Sequence, residues 1–152
     1  MNDIDVIVSG EKWVGYGFKS TSSTVYDLID SAEKNLILTI FVLSSFTVFE
    51  KIKKALNRGV RIDIYIYNKL TPKEILSALN DLNYQCKYLT LYTAKDDEFI
   101  HSKIIICDKK KVYIGSANLS DSGLSTHYEL GVLIEDSKIA YEVETVVEKL
   151  IS

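Results

Sequence analysis

Apolar residues recur at three- and four-residue spacing in three stretches of the chain, each opened by a small polar residue. From Thr24, the positions Val25, Leu28, Ile29 and Ala32 fall on one helical stripe. Thr47 and Glu50 read as a capping box for a second stripe of Val48, Ile52, Ala55 and Leu56, which stops at Gly59. Thr71, Pro72 and Glu74 open a third, with Ile75, Leu76, Leu79 and Leu82 in line. The spacing predicts three helices. Between them, residues 36–43 are apolar almost throughout, and residues 60–67 alternate Val60, Ile62, Ile64 and Ile66 with Arg61, Asp63, Tyr65 and Tyr67. Both stretches predict strands.

Helices that alternate with strands imply right-handed crossovers and a largely parallel sheet covered by helices. After Cys86 the period shortens. Residues 87–92, 99–107, 111–116 and 127–134 predict closely spaced strands, with a hairpin turn at 108–110, and a last helix is predicted over about 139–150 with Val143, Val146 and Val147 inward. No linker or tandem repeat divides the chain, so the expectation is one α/β domain over residues 1–152, built on one mixed sheet.

Composition narrows the classes. A length of 152 residues with 47% hydrophobic and 26% charged residues is that of an ordinary globular domain, not of a disordered or fibrous chain. Eighteen Lys and Arg against 21 Asp and Glu leave a formal charge of -3, so any attraction for a polyanion must be local. The longest apolar run, 36–43, is far short of the ~20 residues of a membrane-spanning helix. The opening MNDIDVIVSG lacks the basic cluster of a secretory signal. The expectation is a cytoplasmic protein without a transmembrane segment, with Cys86 and Cys107 as reduced thiols.

The candidate chemistry lies in FIHSKIIIC, where His101 stands two residues before Lys103 in a predicted strand. Period-two alternation puts both side chains on one face, about 6–7 Å apart along the strand. After the hairpin, Ser116 and Asn118 repeat the spacing beside Gly115 and offer a hydroxyl and an amide as donors. An imidazole, a fixed cation and neutral donors are what attack on a phosphodiester requires, because phosphorus is shielded by negative oxygens that must be neutralised. Lys103 and Asn118 would neutralise them. Histidine, with an unperturbed pKa of about 6.5, keeps a good neutral fraction for attack. Glu129 is the candidate carboxylate to fix the imidazole tautomer from its other nitrogen.

These residues resemble the phospholipase D superfamily. HSKIIICD matches its His-x-Lys-x4-Asp motif at His101, Lys103 and Asp108, and GSAN, from Gly115 to Asn118, follows after the family's six-residue gap. Glu129 falls where the small bacterial nucleases of that superfamily place a glutamate. The resemblance implies a sheet flanked by helices on both faces and a metal-independent, cofactor-free transfer through a covalent phosphohistidine. It also implies that lysine and asparagine hold the phosphoryl oxygens and that Asp108 has a supporting, structural part. One histidine cannot be nucleophile and leaving-group acid in the same step. Larger family members carry two motifs, whereas this chain has one, and His127 has Glu129 two positions on instead of a lysine. The expectation is therefore a twofold homodimer in which two His101 side chains face each other.

Other features carry less. His127 could face the pocket but reads better as an ordinary surface histidine. Lys109, Lys110 and Lys111 could touch a nucleic-acid backbone but read better as a solvated turn. Trp13, Tyr16 and Phe18 could form an aromatic edge for bases, or pack a first strand and its loop, the second being slightly favoured. Cys107 reads as a small buried hydrophobe, and two cysteines with two histidines this far apart do not make a zinc site. The leading function is a nuclease acting on DNA or RNA. The alternatives are a phospholipid head-group phosphodiesterase, which needs an exposed apolar patch or anchor, and a nuclease domain or non-catalytic module of a larger restriction or helicase assembly.

Overall fold

The alternating run at 60–67 forms an interior strand flanked by two parallel neighbours, and the rest of the sheet grows from it. A computed structural model describes residues 3–151. The chain runs β1 (Asp3–Ser9), β2 (Lys19–Ser20), α1 (Thr21–Ser31), β3 (Asn35–Ile40), α2 (Phe46–Asn57), β4 (Arg61–Ile66), α3 (Lys73–Gln85), β5 (Leu89–Thr93), β6 (Lys103–Cys107), β7 (Lys111–Gly115), β8 (Glu129–Glu135) and α4 (Ser137–Glu148). Eight strands make one sheet in the order β2-β1-β8-β7-β6-β3-β4-β5. The β3–β4–β5 half is parallel, and β6, β7 and β8 join it to β1 through antiparallel pairs.

Helices lie on both faces. The stripes of α1, α2 and α3 (Val25, Leu28 and Ile29; Val48 and Ile52; Ile75 and Leu79) bury Leu36, Leu38, Ile62 and Ile64. On the opposite face, Ala140 and Val147 of α4 cover Ile37, Tyr65, Ile106 and Val112. Helix α4 does not reach the β1–β8 end, where Ile4 and Val6 are 63% and 41% exposed and Leu130 is 54% exposed. Trp13, Tyr16 and Phe18 line this bare strip with Val6, Val8 and Leu130. Among the described residues, no helix is long and apolar enough to cross a membrane.

Several element ends differ from the expectation, through local caps or tertiary contacts. Helix α1 starts at Thr21, three residues before Thr24, because Ser20 Oγ accepts from Ser23 N at 3.2 Å. Helix α2 is capped by Ser45, whose Oγ accepts from Val48 N at 3.2 Å, so Thr47 and Glu50 form no capping box. Ser45 is placed for this by its own N–H, which donates to Leu119 O. Thr71 does not cap α3; its Oγ1 accepts from Leu43 N at 3.1 Å and ties down the segment after β3. Strand β3 ends at Ile40, β6 begins only at Lys103, and α4 starts at Ser137 behind an Asp136 cap.

Asp108 closes the far end of β6. Asp108 and Lys109 both adopt positive φ, 52° and 57°, in the tight turn to β7. The Asp108 carboxylate accepts from the N–H groups of Glu33, Lys34 and Asn35, at 2.8–3.3 Å. It thereby fixes the entry to β3. Burial pushes its pKa up, but those hydrogen bonds outweigh burial and hold it below the ordinary carboxylate value. Lys109 pairs with Glu144 of α4 at 3.7 Å, in keeping with a solvated turn. Cys107 is buried, its thiol pushed up to about 11 by burial, and neither cysteine is in a disulfide.

A depressed folded-state pKa contributes stability that is present above the unfolded value and lost as pH falls through the folded one. Asp108→Ala should therefore cost about 1–3 kcal/mol at neutral pH through the stranded N–H groups. Urea titrations at neutral and acidic pH check this: the gap between wild type and variant should narrow as the carboxyl protonates.

Candidate active site

Because β3 and β4 are parallel and β6 returns antiparallel to β3, the ends of β1, β3, β4 and β7 and the starts of β6 and β8 meet at one edge of the sheet. The motif residues gather there, in the crevice at carboxyl strand ends where α/β sheets place their ligands. His101 is not in a strand, contrary to the sequence reading. Thr39, at the end of β3, takes the ladder's place: its Oγ1 donates to Ser102 O at 2.9 Å and accepts from Ile104 N at 3.0 Å. Ser102 Oγ donates to the same oxygen at 3.1 Å. The residue between His101 and Lys103 is thus held by one buried hydroxyl, with Ile100 buried below. His101 itself is exposed.

Lys103 Nζ lies 3.3 Å from both His101 Nδ1 and Nε2. The imidazole and the ammonium therefore address one point. Burial lowers the pKa of Lys103 from its ordinary value of 10.5, and Glu129 opposes that shift. Glu129 acts on Lys103 through its charge. Lys103, Gly115 and Gly131 stand in one row across β6, β7 and β8, and neither glycine puts a side chain between them. Glu129 makes no hydrogen bond to His101 in this structure. The tautomer-fixing part expected of it needs a ring nitrogen released from Lys103.

The glycine row has another occupant, Tyr113. A Cβ on Gly115 would sit 2.3 Å from the Tyr113 hydroxyl, and one on Gly131 would sit 2.8 Å from its ring and from Ile114 O. The ring fills the space the glycines leave. Its hydroxyl is buried without a hydrogen-bond partner, and burial, then the Glu129 charge, pushes its pKa up to about 12. Sequence reasoning missed Tyr113 and Thr39, although the period-two register of β7 puts Tyr113 and Gly115 on one face.

Asn118 lies beyond β7 at the same edge. It is held by Leu119, whose N–H donates to Val42 O and whose carbonyl accepts from Ser44 and Ser45. Ala117 and Leu119 line a small cavity with Lys103, Thr39 and Tyr113, so the GSAN turn abuts the lysine. The Asn118 Oδ1 is also buried without a partner. The Asn118 Oδ1 and the Tyr113 hydroxyl, like Thr21 Oγ1 and Asn35 Oδ1 elsewhere, are buried polar atoms that the fold leaves without a hydrogen bond.

Two residues expected in the site are placed otherwise. Ser116 Oγ donates to Leu130 O at 3.3 Å and accepts from Leu130 N at 3.1 Å, so its hydroxyl clamps β7 to β8 instead of facing the lysine. Asp108 lies at the other end of β6, roughly 16 Å from Lys103 at ~3.3 Å per residue. It touches no reacting group, and its contacts are the structural ones described above. His127 is exposed, its backbone carbonyl accepting from Ser9 Oγ at 2.8 Å. Lys109, Lys110 and Lys111 sit at the far end with Asp108, away from His101.

The family model described as "Cardiolipin synthase, PLD-like domain" matches residues 25–151. The chain belongs to the phospholipase D superfamily. Its fold is that of NucT from Helicobacter pylori, with a TM-score of 0.79 over 99% of this chain and 96% of that one at 19% identity. Curated relatives include the DISARM protein DrmC of Bacillus paralicheniformis, 22% identical over 91% of this chain and 59% of its own length. A phospholipase D of Rickettsia conorii is 30% identical over 74% of this chain and 54% of its own length. The chain thus spans little more than half of the curated relatives it matches.

Replacing Glu129 removes the carboxylate that opposes the burial of Lys103. In Glu129→Gln the lysine should lose its proton at lower pH than in wild type. The alkaline limb of the kcat/KM profile should move to lower pH accordingly. An unmoved limb, or one moved upward, would contradict the coupling.

Proposed function

We propose that the protein is a phosphodiesterase that cleaves nucleic acid through a phosphohistidine on His101, as a twofold dimer. The observation that carries this reading is the exposed His101 with Lys103 Nζ 3.3 Å from both ring nitrogens, at the edge where the turn holding Asn118 abuts the lysine. A ring nitrogen of His101 attacks phosphorus while Lys103 and Asn118 neutralise the phosphoryl oxygens. The bond from phosphorus to the leaving oxygen breaks, and His101 of the partner subunit protonates that oxygen. That same imidazole then takes a proton from water, whose oxygen displaces His101 from phosphorus. Lys103 is held charged by Glu129. Thr39 acts as a positioning residue, through Ser102.

The bare strip of Ile4, Val6, Trp13, Tyr16, Phe18 and Leu130 is the face we assign to the second copy. It runs up to the catalytic edge through Leu130, which follows Glu129, and the site holds only one of the two histidines the chemistry needs. An isologous contact there brings two such edges together. An exposed nucleophile at an open sheet edge suits a polymer backbone laid across it. The same apolar strip favours a second reading, a head-group phosphodiesterase that rests this face on a lipid surface.

Plasmid and single-stranded DNA incubated in EDTA and resolved on gels test the first reading. His101→Ala should lower turnover by more than the ~10²–10⁴ of one lost acid or base, since it removes nucleophile and acid together. Leu130→Asp should give monomers by light scattering and lose cleavage; a monomer at full speed would overturn the dimer. Release of alcohol from phospholipid vesicles without cleavage of any nucleic acid would select the second reading.

A further inference from the structure

Three connections bring aromatic rings to the same edge as His101. Phe41 directly follows β3, Tyr67 directly follows β4, and Phe99 precedes β6. Phe41 stacks on Tyr67 with centroids 5.2 Å apart and planes 18° apart, and Phe99 sits 5.2 Å from Phe41 and 4.7 Å from Tyr67. Phe41 also touches the His101 ring at 4.6 Å. The outer ring, Phe99, is 63% exposed, and its plane lies within 16° of the His101 ring at 5.9 Å. A large apolar ring is therefore left in water, parallel to the nucleophile and within one nucleotide's reach of it.

We propose that Phe99, backed by Phe41 and Tyr67, is the stacking platform for a base beside the scissile phosphate, and so selects unpaired nucleic acid. This rests on the phosphodiesterase reading of His101 and adds how the substrate is held. With phosphorus at His101, the neighbouring base falls on the Phe99 face. A base in a duplex already has both faces stacked and must leave the helix to use this ring, whereas a base in a single strand is free to do so.

Charge selects this occupant. Lys103 Nζ stands 5.2 Å from the Phe41 centroid and Lys69 Nζ 6.0 Å from that of Tyr67. These aromatic faces already carry ammonium groups, which repel a quaternary-ammonium head group and attract the phosphates that accompany a base. Glu98 lines one cleft with Phe99, Ile100, His101, Ser102 and Leu150, and its carboxylate disfavours a phosphate there relative to the lysine side. The wall lies on the β3–β4 side of His101, and the bare strip on the β1–β8 side, so both are usable at once.

The test compares wild type, Phe99→Leu and Phe99→Trp on a labelled single-stranded oligonucleotide, its duplex, and the oligonucleotide made abasic at the nucleotides flanking the cut. Wild type should prefer the single strand. Phe99→Leu should raise KM on it about 5- to 150-fold, from stacking of about 1–3 kcal/mol per base, with a much smaller change in kcat. The defect should shrink on the abasic oligonucleotide, and Phe99→Trp should restore binding. Equal KM for Phe99→Leu and wild type, or an equal defect with and without the base, would overturn the proposal. Fluorescence anisotropy of the oligonucleotide reads the platform without turnover, so loss of cleavage alone would count against the mechanism and not the platform. Loss of phosphatidylcholine hydrolysis in Phe99→Leu with undiminished oligonucleotide binding would make the wall a head-group cage and overturn the proposal.

Discussion

One hydroxyl holds the His101–Lys103 pair in place. Thr39, buried at the end of β3, satisfies the carbonyl of Ser102 and the amide of Ile104 with a single oxygen, and so defines where the chain leaves the sheet. His101 lies on the free side of that joint and Lys103 on the paired side. A regular strand would have spread the two side chains along its length. The break lets the imidazole fold back until both nitrogens are 3.3 Å from the ammonium. The contact between imidazole and ammonium thus depends on β6 beginning only at the lysine.

Much of this was legible in the sequence. The stripes of α1, α2 and α3 and the alternation of β4 report burial directly, because a helix or strand can bury only the side it repeats on. The motif spacing located His101, Lys103 and Asn118 at one edge, since their elements end there. Boundaries were less legible, for a common reason. Thr71 and Ser45 are both cap-forming types, and a tertiary hydrogen bond decides which of them caps: Leu43 N claims Thr71, and Leu119 O positions Ser45. Ser116 was misread likewise, because local spacing cannot show that Leu130 exchanges two hydrogen bonds with its hydroxyl. Asp108, to which the motif gives a supporting part, stands at the opposite end of a five-residue strand and serves the turn before β3.

The two sides of His101 differ in kind. Toward β1 and β8 the sheet offers a bare apolar strip, and toward β3 and β4 a wall of rings overlaid by lysines. Within a net charge of -3, this arrangement concentrates positive charge locally, with two ammonium groups standing over the rings. Tyr113 beneath the glycine row adds a buried phenol with no partner, next to the carboxylate that supports Lys103.

The two cysteine thiols sit far from all of this. Cys107 is sealed under α1, its Sγ 3.3 Å from Leu28 O, and with a pKa near 11 it offers almost no thiolate at neutral pH. Cys86, partly open at the end of α3, lies at the sheet edge opposite the histidine. A maleimide dye or spin label would therefore attach at one place, remote from His101, and give each chain a single reporter for distance measurements.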